Sequence, residues 1–556
     1  REQYGSWPLL YGQYFTAQVE GFEEGDPIYV KGREKYEIVD HEIFVKYSPK
    51  DQTIFPRIWS TEDNHQRAYR EALGLRPGQR PTFVDNVRFM FTHQIGRMYV
   101  RYFFFNFAGR ESDEQNAGWL GPRQWFEDLP PTLAENRGRN NFFMIPFVLG
   151  LIGMYHQAVK DTKNFFVVAL LFLLTGVALV IYLNSPPVEP RERDYIYAGS
   201  YYAYCFWIGL AVMAVADWLS KLTKNLKVAG VVATALCLSA PLLMAKDGWN
   251  DHNRAKRYFS VDTAINDLQS CAPDSILFTG GDNDTFPQWY VQDVEGVRTD
   301  VRVIVTSYFN TQWYIEQTMR PLYSSKAFPY TLTAYHYREG GPNNPYLPFY
   351  DAHIKSMDLK QYLALLKNEH KGLRLDPSNN VIPTRDIVLK VDVEKVRSLG
   401  VVPSALEELI VPEMHLRLKG DWLDLKDLAM LDILATAEWE RPIYVTNNSL
   451  AQFNVDLTPY LVREGNTLRI LPVLNPNPQE ELVNTKTGYE KVMTRFQFRG
   501  LNDSTVYNSD DYRRAVQNHR NNLNALAAAL LFEGDSLKAK EVLLLSLDKM
   551  PDHGVR

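Results

Sequence analysis

Among the residues suited to chemistry in this chain of 556 residues is a short acidic loop, Gly280-Gly281-Asp282-Asn283-Asp284. It follows an apolar run, Ser275-Ile-Leu-Phe-Thr279. It precedes Thr285-Phe-Pro-Gln-Trp-Tyr-Val-Gln292, which reads as a helix with Pro287 in its first turn. A strand-to-helix turn of this kind can hold an anion on its backbone N–H groups. Asp282 and Asp284 could equally give carboxylate oxygens to a divalent cation. The loop is neither GxGxxG nor a Walker sequence, and it lacks the spacing and closing glutamate of an EF-hand. Asp and Asn also serve turns and helix caps without any ligand, so from the residues alone both readings stay open.

Composition bounds the rest. Lys and Arg number 60 against 66 Asp and Glu, a net charge of −6, which leaves no basic footprint for nucleic acid. Aromatic residues make up 13% and hydrophobic residues 45%, which excludes a disordered chain. Cys205, Cys237 and Cys271 form no CxxC and suggest no pair, so a disulfide scaffold is excluded too.

The elements that must position any site are unevenly apolar. Four windows lack Lys, Arg, Asp and Glu: 141–159, 164–183, 199–216 and 228–245. At about 1.5 Å per residue each approaches the thickness of a hydrocarbon core, so four transmembrane helices are expected. Tyr201, Tyr202, Tyr204 and Trp207 crowd one end of the third window, and Trp218 marks the other. His156, one turn from Lys160, reads as an interfacial histidine. An even number of spans would put 1–136, 184–198 and 246–556 on one side of the membrane. Counting Lys and Arg does not choose that side.

The flanks differ in character. Asp85 to Phe107 interleaves Arg88, Arg97 and Arg101 with Phe, Met and Tyr. That pattern suits a helix lying at the membrane surface, or an amphipathic helix packed on a soluble domain. Beyond Asp262, the run Val301–Thr306 reads as a second strand and Thr311–Arg320 as a second helix, an α/β order with parallel strands. Pro442–Thr446 is expected to join that sheet, while 340–420 has no clear pattern. Arg520–Pro551 places Leu523, Leu526, Ala527, Leu530, Ala539, Leu543, Ser546 and Pro551 at the signature positions of a roughly 34-residue tetratricopeptide repeat. One repeat cannot bury its own face, so further repeats or the α/β domain must cover it. The start at Arg1 and the ending after a single repeat suggest a piece of a longer protein.

Long motifs then carry a resemblance: REQYG at 1–5 with LLYGQYF at 9–15, ERDYIYAGSYY at 192–202, DGWNDHNR at 247–254, and LFTGGDNDTFPQWYVQDVEGVRTDVRVI at 277–304. With them the chain resembles a Bacteroidota membrane family, long filed as a domain of unknown function, that often ends in tetratricopeptide repeats. Its animal relative is an endoplasmic-reticulum protein O-mannosyltransferase. The family looks like a branch of the GT-C superfamily of lipid-linked sugar transferases.

The resemblance implies an α-helical polytopic membrane bundle, the C-terminal part of a GT-C-like fold, with an extracytoplasmic α/β domain and a tetratricopeptide-type hairpin. Its boundaries would be 1–136 for an extracytoplasmic segment, 137–245 for the bundle, 246–510 for the α/β domain and 511–556 for the first repeat. The implied reaction moves a sugar from a polyprenyl phosphate to Ser or Thr hydroxyls of exported proteins, with no other cofactor and no metal. The implied home is a bacterial inner membrane, with the large domains in the periplasm.

Such chemistry needs a carboxylate for the hydroxyl proton and cations for the leaving phosphate. The superfamily's usual carboxylate lies in a loop expected upstream of Arg1. Among residues present, Glu2 and Asp194 are the catalytic candidates. Arg191 and Arg193 suit a phosphate. Asp194 and Glu192 could orient them or touch the acceptor, and Tyr195 and Tyr197 could stack on a sugar. Arg1 and Tyr4 form a second binding group, and Asp282 and Asp284 a third. The charged loop at 191–194 could instead be an ion-pair cluster at the headgroups. A non-catalytic scaffold docking partners in an envelope export or assembly complex is the alternative function. A transporter is disfavoured by the uncharged windows.

Overall fold

A computed structural model describes residues 11–31, 35–189, 191–375 and 379–551. Arg1, Glu2 and Tyr4 lie outside the described residues. The chain divides into two compact units, with the breaks at Glu24/Gly25, Glu42/Ile43 and Arg254/Ala255.

In the first unit, β1 (Tyr11–Gln13) pairs antiparallel with β4 (Gln52–Ile54). Between them in sequence, β2 (Val19–Lys31) and β3 (Tyr36–Tyr47) form a two-stranded ribbon, of which Gly25–Glu42 are counted with the second unit. After α1 (Asp63–Leu73), the basic aromatic stretch forms a continuous helix. It starts as α2 (Phe83–Phe89), capped by a reciprocal Thr82–Asp85 box, widens to a π-helix over Met90–Val100, and ends as α3 (Arg101–Phe107). Its aromatic side buries Tyr99, Tyr102, Phe103 and Phe107 against Tyr197, Tyr201, Tyr204 and Trp207. The stretch therefore packs on the apolar helices of its own unit.

β5 (Gly109–Arg110) pairs with β6 (Asn140–Asn141), and the short α4 (Pro131–Ala134) lies between them in sequence. The apolar windows follow as α5 (Ile145–Lys160), α6 (Thr162–Leu174), α7 (Val177–Leu183), α8 (Ala198–Thr223), α9 (Leu226–Cys237) and α10 (Ser239–His252). Among the described residues three helical stretches are long and apolar enough to cross a membrane: Thr162–Leu183, Asp194–Thr223 and Leu226–His252. The first window falls short of the expected span. Asn141 is in a strand, and Phe143 and Met144 take positive φ of 50° and 55°, so α5 begins only at Ile145 and has 16 residues.

α5 and α8 cross closely because α5 is cut back to glycine at the contact. A methyl group on Gly153 would sit 1.8 Å from the Trp207 carbonyl oxygen, and one on Gly150 would sit 2.3 Å from the Tyr204 ring. Trp207 Nε1 donates to Gln157 Oε1 at 2.8 Å in this interface. The outward faces are apolar: Val231 is 72% and Phe166 66% exposed, a pattern suited to lipid.

From Ala255 the second unit continues with α11 (Phe259–Ser270), β7 (Ile276–Thr279), α12 (Asp282–Asp293), β8 (Arg302–Val305) and α13 (Gln312–Thr318). The unpatterned middle folds around a four-stranded sheet. It holds β9 (Tyr346–Pro348), β10 (Met357–Asp358), α14 (Leu359–Lys367), β11 (Asp386–Lys390), α15 (Val393–Leu399), β12 (Glu413–Leu418) and β13 (Trp422–Asp424). Next come the buried α16 (Leu425–Ala437), β14 (Ile443–Val445), α17 (Asn447–Leu450), β15 (Val455–Asp456), β16 (Leu461–Glu464), β17 (Thr467–Ile470) and β18 (Leu482–Val483).

The larger sheet has the order β18-β16-β17-β14-β7-β8, and the four-stranded one β10-β11-β12-β15. β7 is parallel to both β8 and β14, as the strand–helix order requires, whereas β17 runs antiparallel to β14 and β16. Alternation along β7 sends Leu277 to the α11 side with Leu268 and Val291, and Ile276 and Phe278 to the α16 side.

After α18 (Thr485–Thr494), α19 (Asp510–Phe532) and α20 (Ser536–Lys549) make a helical hairpin. It buries Leu523, Leu526, Ala527, Leu530 and Ala539 with Phe259, Val492 and Phe498. The α/β domain thus covers one face of the hairpin.

Candidate functional site

At the end of the last apolar helix, the first unit has a pocket of about 370 Å³. It is built by four stretches of chain: the end of α3 with β5, β6 with Phe142, Asp194, and the last turns of α10. The close approach of β5 to β6 depends on Gly109, whose φ is +135° and where a Cβ would lie 2.3 Å from the Asn140 carbonyl oxygen. That approach sets Arg110 and Asn140 in the pocket wall.

α10 fixes the other wall through carboxylates four residues apart on one face. Asp247 Oδ2 accepts the Asn141 N–H at 2.7 Å, and Asp251 Oδ2 accepts from Asn140 Nδ2 at 3.0 Å. Asp251 Oδ1 lies 2.8 Å from His252 Nδ1, which is also 2.8 Å from the Gly248 carbonyl. Trp249, 68% exposed, adds a flat apolar face. Asp194, at the start of the Asp194–Tyr197 turn that leads into α8, lines the same pocket.

Two polar atoms here stand out. Among the described residues, Arg110 Nε and Asn140 Oδ1 are buried and have no hydrogen-bond partner. Buried polar groups are normally paired, so an orphan donor and an orphan acceptor at one wall mark a place for a polar ligand or water. The pocket thus joins a guanidinium, carboxylates, a histidine and an aromatic face. That set can receive a phosphate, take a proton from a hydroxyl and seat a sugar.

The loop residues expected at the site separate into different roles. Glu192 accepts from Arg101 Nη1 at 3.1 Å and Nη2 at 2.7 Å, from the Asn116 N–H at 2.5 Å, and from the Tyr102 hydroxyl. Burial alone would raise its pKa, but these donors, Arg101 foremost, hold it below the usual carboxylate range. Burial, reinforced by Glu192, pushes the Tyr102 hydroxyl up. Arg193 is paired with Glu189 at 2.8 Å, and burial raises the Glu189 carboxyl despite that pair. Glu192 and Arg193 thus form the ion-pair cluster that a charged headgroup loop permits. Arg191 and Tyr195 are exposed, and Asp194 alone of this group lines the pocket.

In the second unit the acidic loop serves its own turn. Asp284 Oδ2 accepts the Gly280 N–H at 2.8 Å and the Thr446 hydroxyl at 2.6 Å. The crevice beyond the parallel strand ends is where ligands settle in open α/β sheets. Here Gln452 fills it, bonding the Gly280 carbonyl and, at 2.5 Å, the Thr306 hydroxyl. Asn448 packs against Gly280 so closely that a Cβ on Gly280 would be 2.5 Å from its own. Asp282 is exposed. Among the described residues no group of three or more His, Cys, Asp or Glu is placed to hold a metal ion.

Sequence reasoning did not single out Arg110 or Asn140, and it quoted Asp251 and His252 only inside a motif. The available signal was a titratable cluster directly after the last apolar window.

Two family models match parts of the chain. One, described as TMEM260-associated domain 2, covers residues 260–487, and one described as a family of unknown function, DUF8416, covers residues 5–91. No curated protein and no solved structure matches. The chain is thus similar to a TMEM260-associated domain across most of its α/β region.

Proposed function

We propose that this chain belongs to a membrane glycosyltransferase that moves a sugar from a polyprenyl-phosphate donor to Ser or Thr hydroxyls of exported proteins. The observation that carries the reading is the first unit's pocket, where Asp194, Asp251, His252 and Arg110 meet at the end of a membrane-length helix. The TMEM260-associated match supports it through the family resemblance of the sequence.

In this reading Asp194 accepts the proton of the acceptor hydroxyl as its oxygen bonds to the anomeric carbon. The bond from that carbon to the phosphate oxygen breaks, and its electron pair leaves with the polyprenyl phosphate. Arg110, with its unpartnered Nε, meets the charge that develops there. Trp249 lies under the sugar or the first isoprene. The apolar helices sit in a bacterial inner membrane, with the large flanking regions in the periplasm. The phosphate role passes from Arg193, held by Glu189, to Arg110.

The test is transfer from polyprenyl-phosphate mannose to a Ser/Thr peptide by the purified protein, alongside glycoproteomics of a deletion strain. Asp194→Asn should lower turnover by about 10²–10⁴-fold. Unchanged Ser/Thr glycans across the envelope proteome of the deletion strain would sink the proposal. The scaffold reading draws on one observation: the hairpin leaves Phe532, Leu537, Leu544 and Leu547 exposed, a face suited to a partner. A scaffold would be fully complemented by Asp194→Asn, and an enzyme would not.

A further inference from the structure

A second pocket, of about 350 Å³, lies wholly in the second unit along β8. β8 is the edge of the six-stranded sheet, so one side of its backbone lacks a neighbouring strand. Arg302 and Thr306 donate their N–H groups to β7, so alternation turns the polar groups of Val301, Val303 and Val305 to the open side. Two of these three positions are already engaged. Gln292 Nε2 donates to the Val301 carbonyl at 2.8 Å, and the Val305 N–H donates to the Tyr314 hydroxyl at 3.2 Å. Only Val303 is left between them, and it lines the pocket. An added peptide strand needs a run of such groups, so the edge does not suit β-augmentation.

The walls are aromatic. Trp289, Tyr308, Trp313, Tyr314 and Tyr323 line the pocket, with Trp313 52% and Tyr323 57% exposed. Tyr308, Trp313 and Tyr314 brace one another, with ring centroids 5.4–6.0 Å apart. The charges argue against an anion. Among the described residues Arg302 is the one lining cation, and it is buried and directs its guanidinium to the Gln317 and Arg320 carbonyls. Asp293 is exposed beside the pocket, holds the Tyr323 hydroxyl at 2.5 Å and would repel a phosphate or carboxylate. An ammonium ligand could use the rings and Asp293 but could not accept the Val303 N–H.

We infer that this pocket binds a neutral saccharide of one or two rings, its C–H faces on Trp313 and Tyr323 and its hydroxyls bridging Val303 and Asp293. A hydroxyl both donates and accepts, as Val303 requires, and the volume is at the small end of ligand pockets, about 300–1,000 Å³. The inference does not depend on transfer activity.

Saturation-transfer NMR on the purified full chain in detergent tests it, with methyl α-mannoside, methyl β-galactoside, N-acetylglucosamine, glucose 1-phosphate and choline as probes. At least one neutral sugar should show saturated ring C–H signals. Trp313→Ala and Tyr323→Ala, each folded by its melting curve, should weaken that binding by about tenfold, the worth of one aromatic stack. Trp249→Ala, in the first unit's pocket, should leave it intact. No signal from any neutral sugar, a stronger signal from the phosphate or choline, or a loss confined to Trp249→Ala would overturn the inference.

Discussion

Glu192→Gln is expected to unfold the first unit more easily. The carboxylate and the Arg101 guanidinium are both mostly buried, with side chains 15% and 11% exposed. Glutamine keeps one carbonyl oxygen but, whichever way it faces, turns an NH₂ toward an Arg101 donor, and it leaves the guanidinium charge without a counter-ion. Breaking one side of a buried pair costs about 3–5 kcal/mol. For a unit of this size a melting shift of roughly 10 °C follows, at about 2–4 °C per kcal/mol. Scanning fluorimetry of the full chain in detergent reads the shift. The double variant Glu192→Leu with Arg101→Met should melt well above the sum of its single variants, because it removes both charges together. An unchanged melting temperature, or strict additivity, would refute the anchoring role. Unchanged melting with lost transfer would instead put Glu192 on the substrate.

Other expectations concern packing, pH and the acidic loop. Gly153→Ala should block assembly of α5 on α8, whereas Gly209→Ala on α8, where a Cβ would meet nothing within 4 Å, should be silent in the same melting assay. His519 is buried between Thr263 and Asn466, and burial lowers its pKa to about 4. Its depressed folded value means that its contribution is full above the unfolded pKa of about 6.5 and fades as pH falls toward 4, by about 2 kcal/mol at pH 5. Hydrogen exchange across α19, corrected for intrinsic rates, should accelerate between pH 7 and pH 5 in the wild type and far less in His519→Gln. Asp284→Ala should cost the second unit about 1–3 kcal/mol through the orphaned Gly280 N–H, while Asp282→Ala should stay within about 0.5 kcal/mol. Chemical denaturation followed within the second unit separates the two.

What the sequence revealed was periodic and local. Uncharged runs gave the apolar helices, and strand–turn–helix order gave β7, α12 and β8, with β14 beside β7. The hairpin was legible because Leu523, Leu526, Ala527 and Leu530 repeat on one helical face. The pocket was not legible, since Asn140 and Asp251 are 111 residues apart and meet through a side-chain hydrogen bond that no local pattern announces. The shortfall of the first window was hidden as well. Phe143 and Met144 are apolar, and nothing in their type announces positive φ. Arg193 and Glu192 had the right chemistry for a site, yet Glu189, Arg101 and Tyr102 supplied partners that no local pattern could reveal.

The π-helical stretch at Met90–Val100 has a consequence for how the first pocket can change. The Arg101 N–H reaches back five residues to the Gly96 carbonyl, so the helix carries surplus length at this point. Removing a single residue there, such as the exposed Thr92, would let the stretch wind as an ordinary α-helix while the segments on either side keep their phase. Phe105, Asn106 and Arg110 would keep their place in the pocket wall, whereas a residue lost from α3, which has no surplus, would turn those beyond it by about 100°. The spacing of the pocket is thus written as a residue count. Insertions and deletions in α3 should reshape it more than those between 90 and 100, where the wide winding can take up a residue.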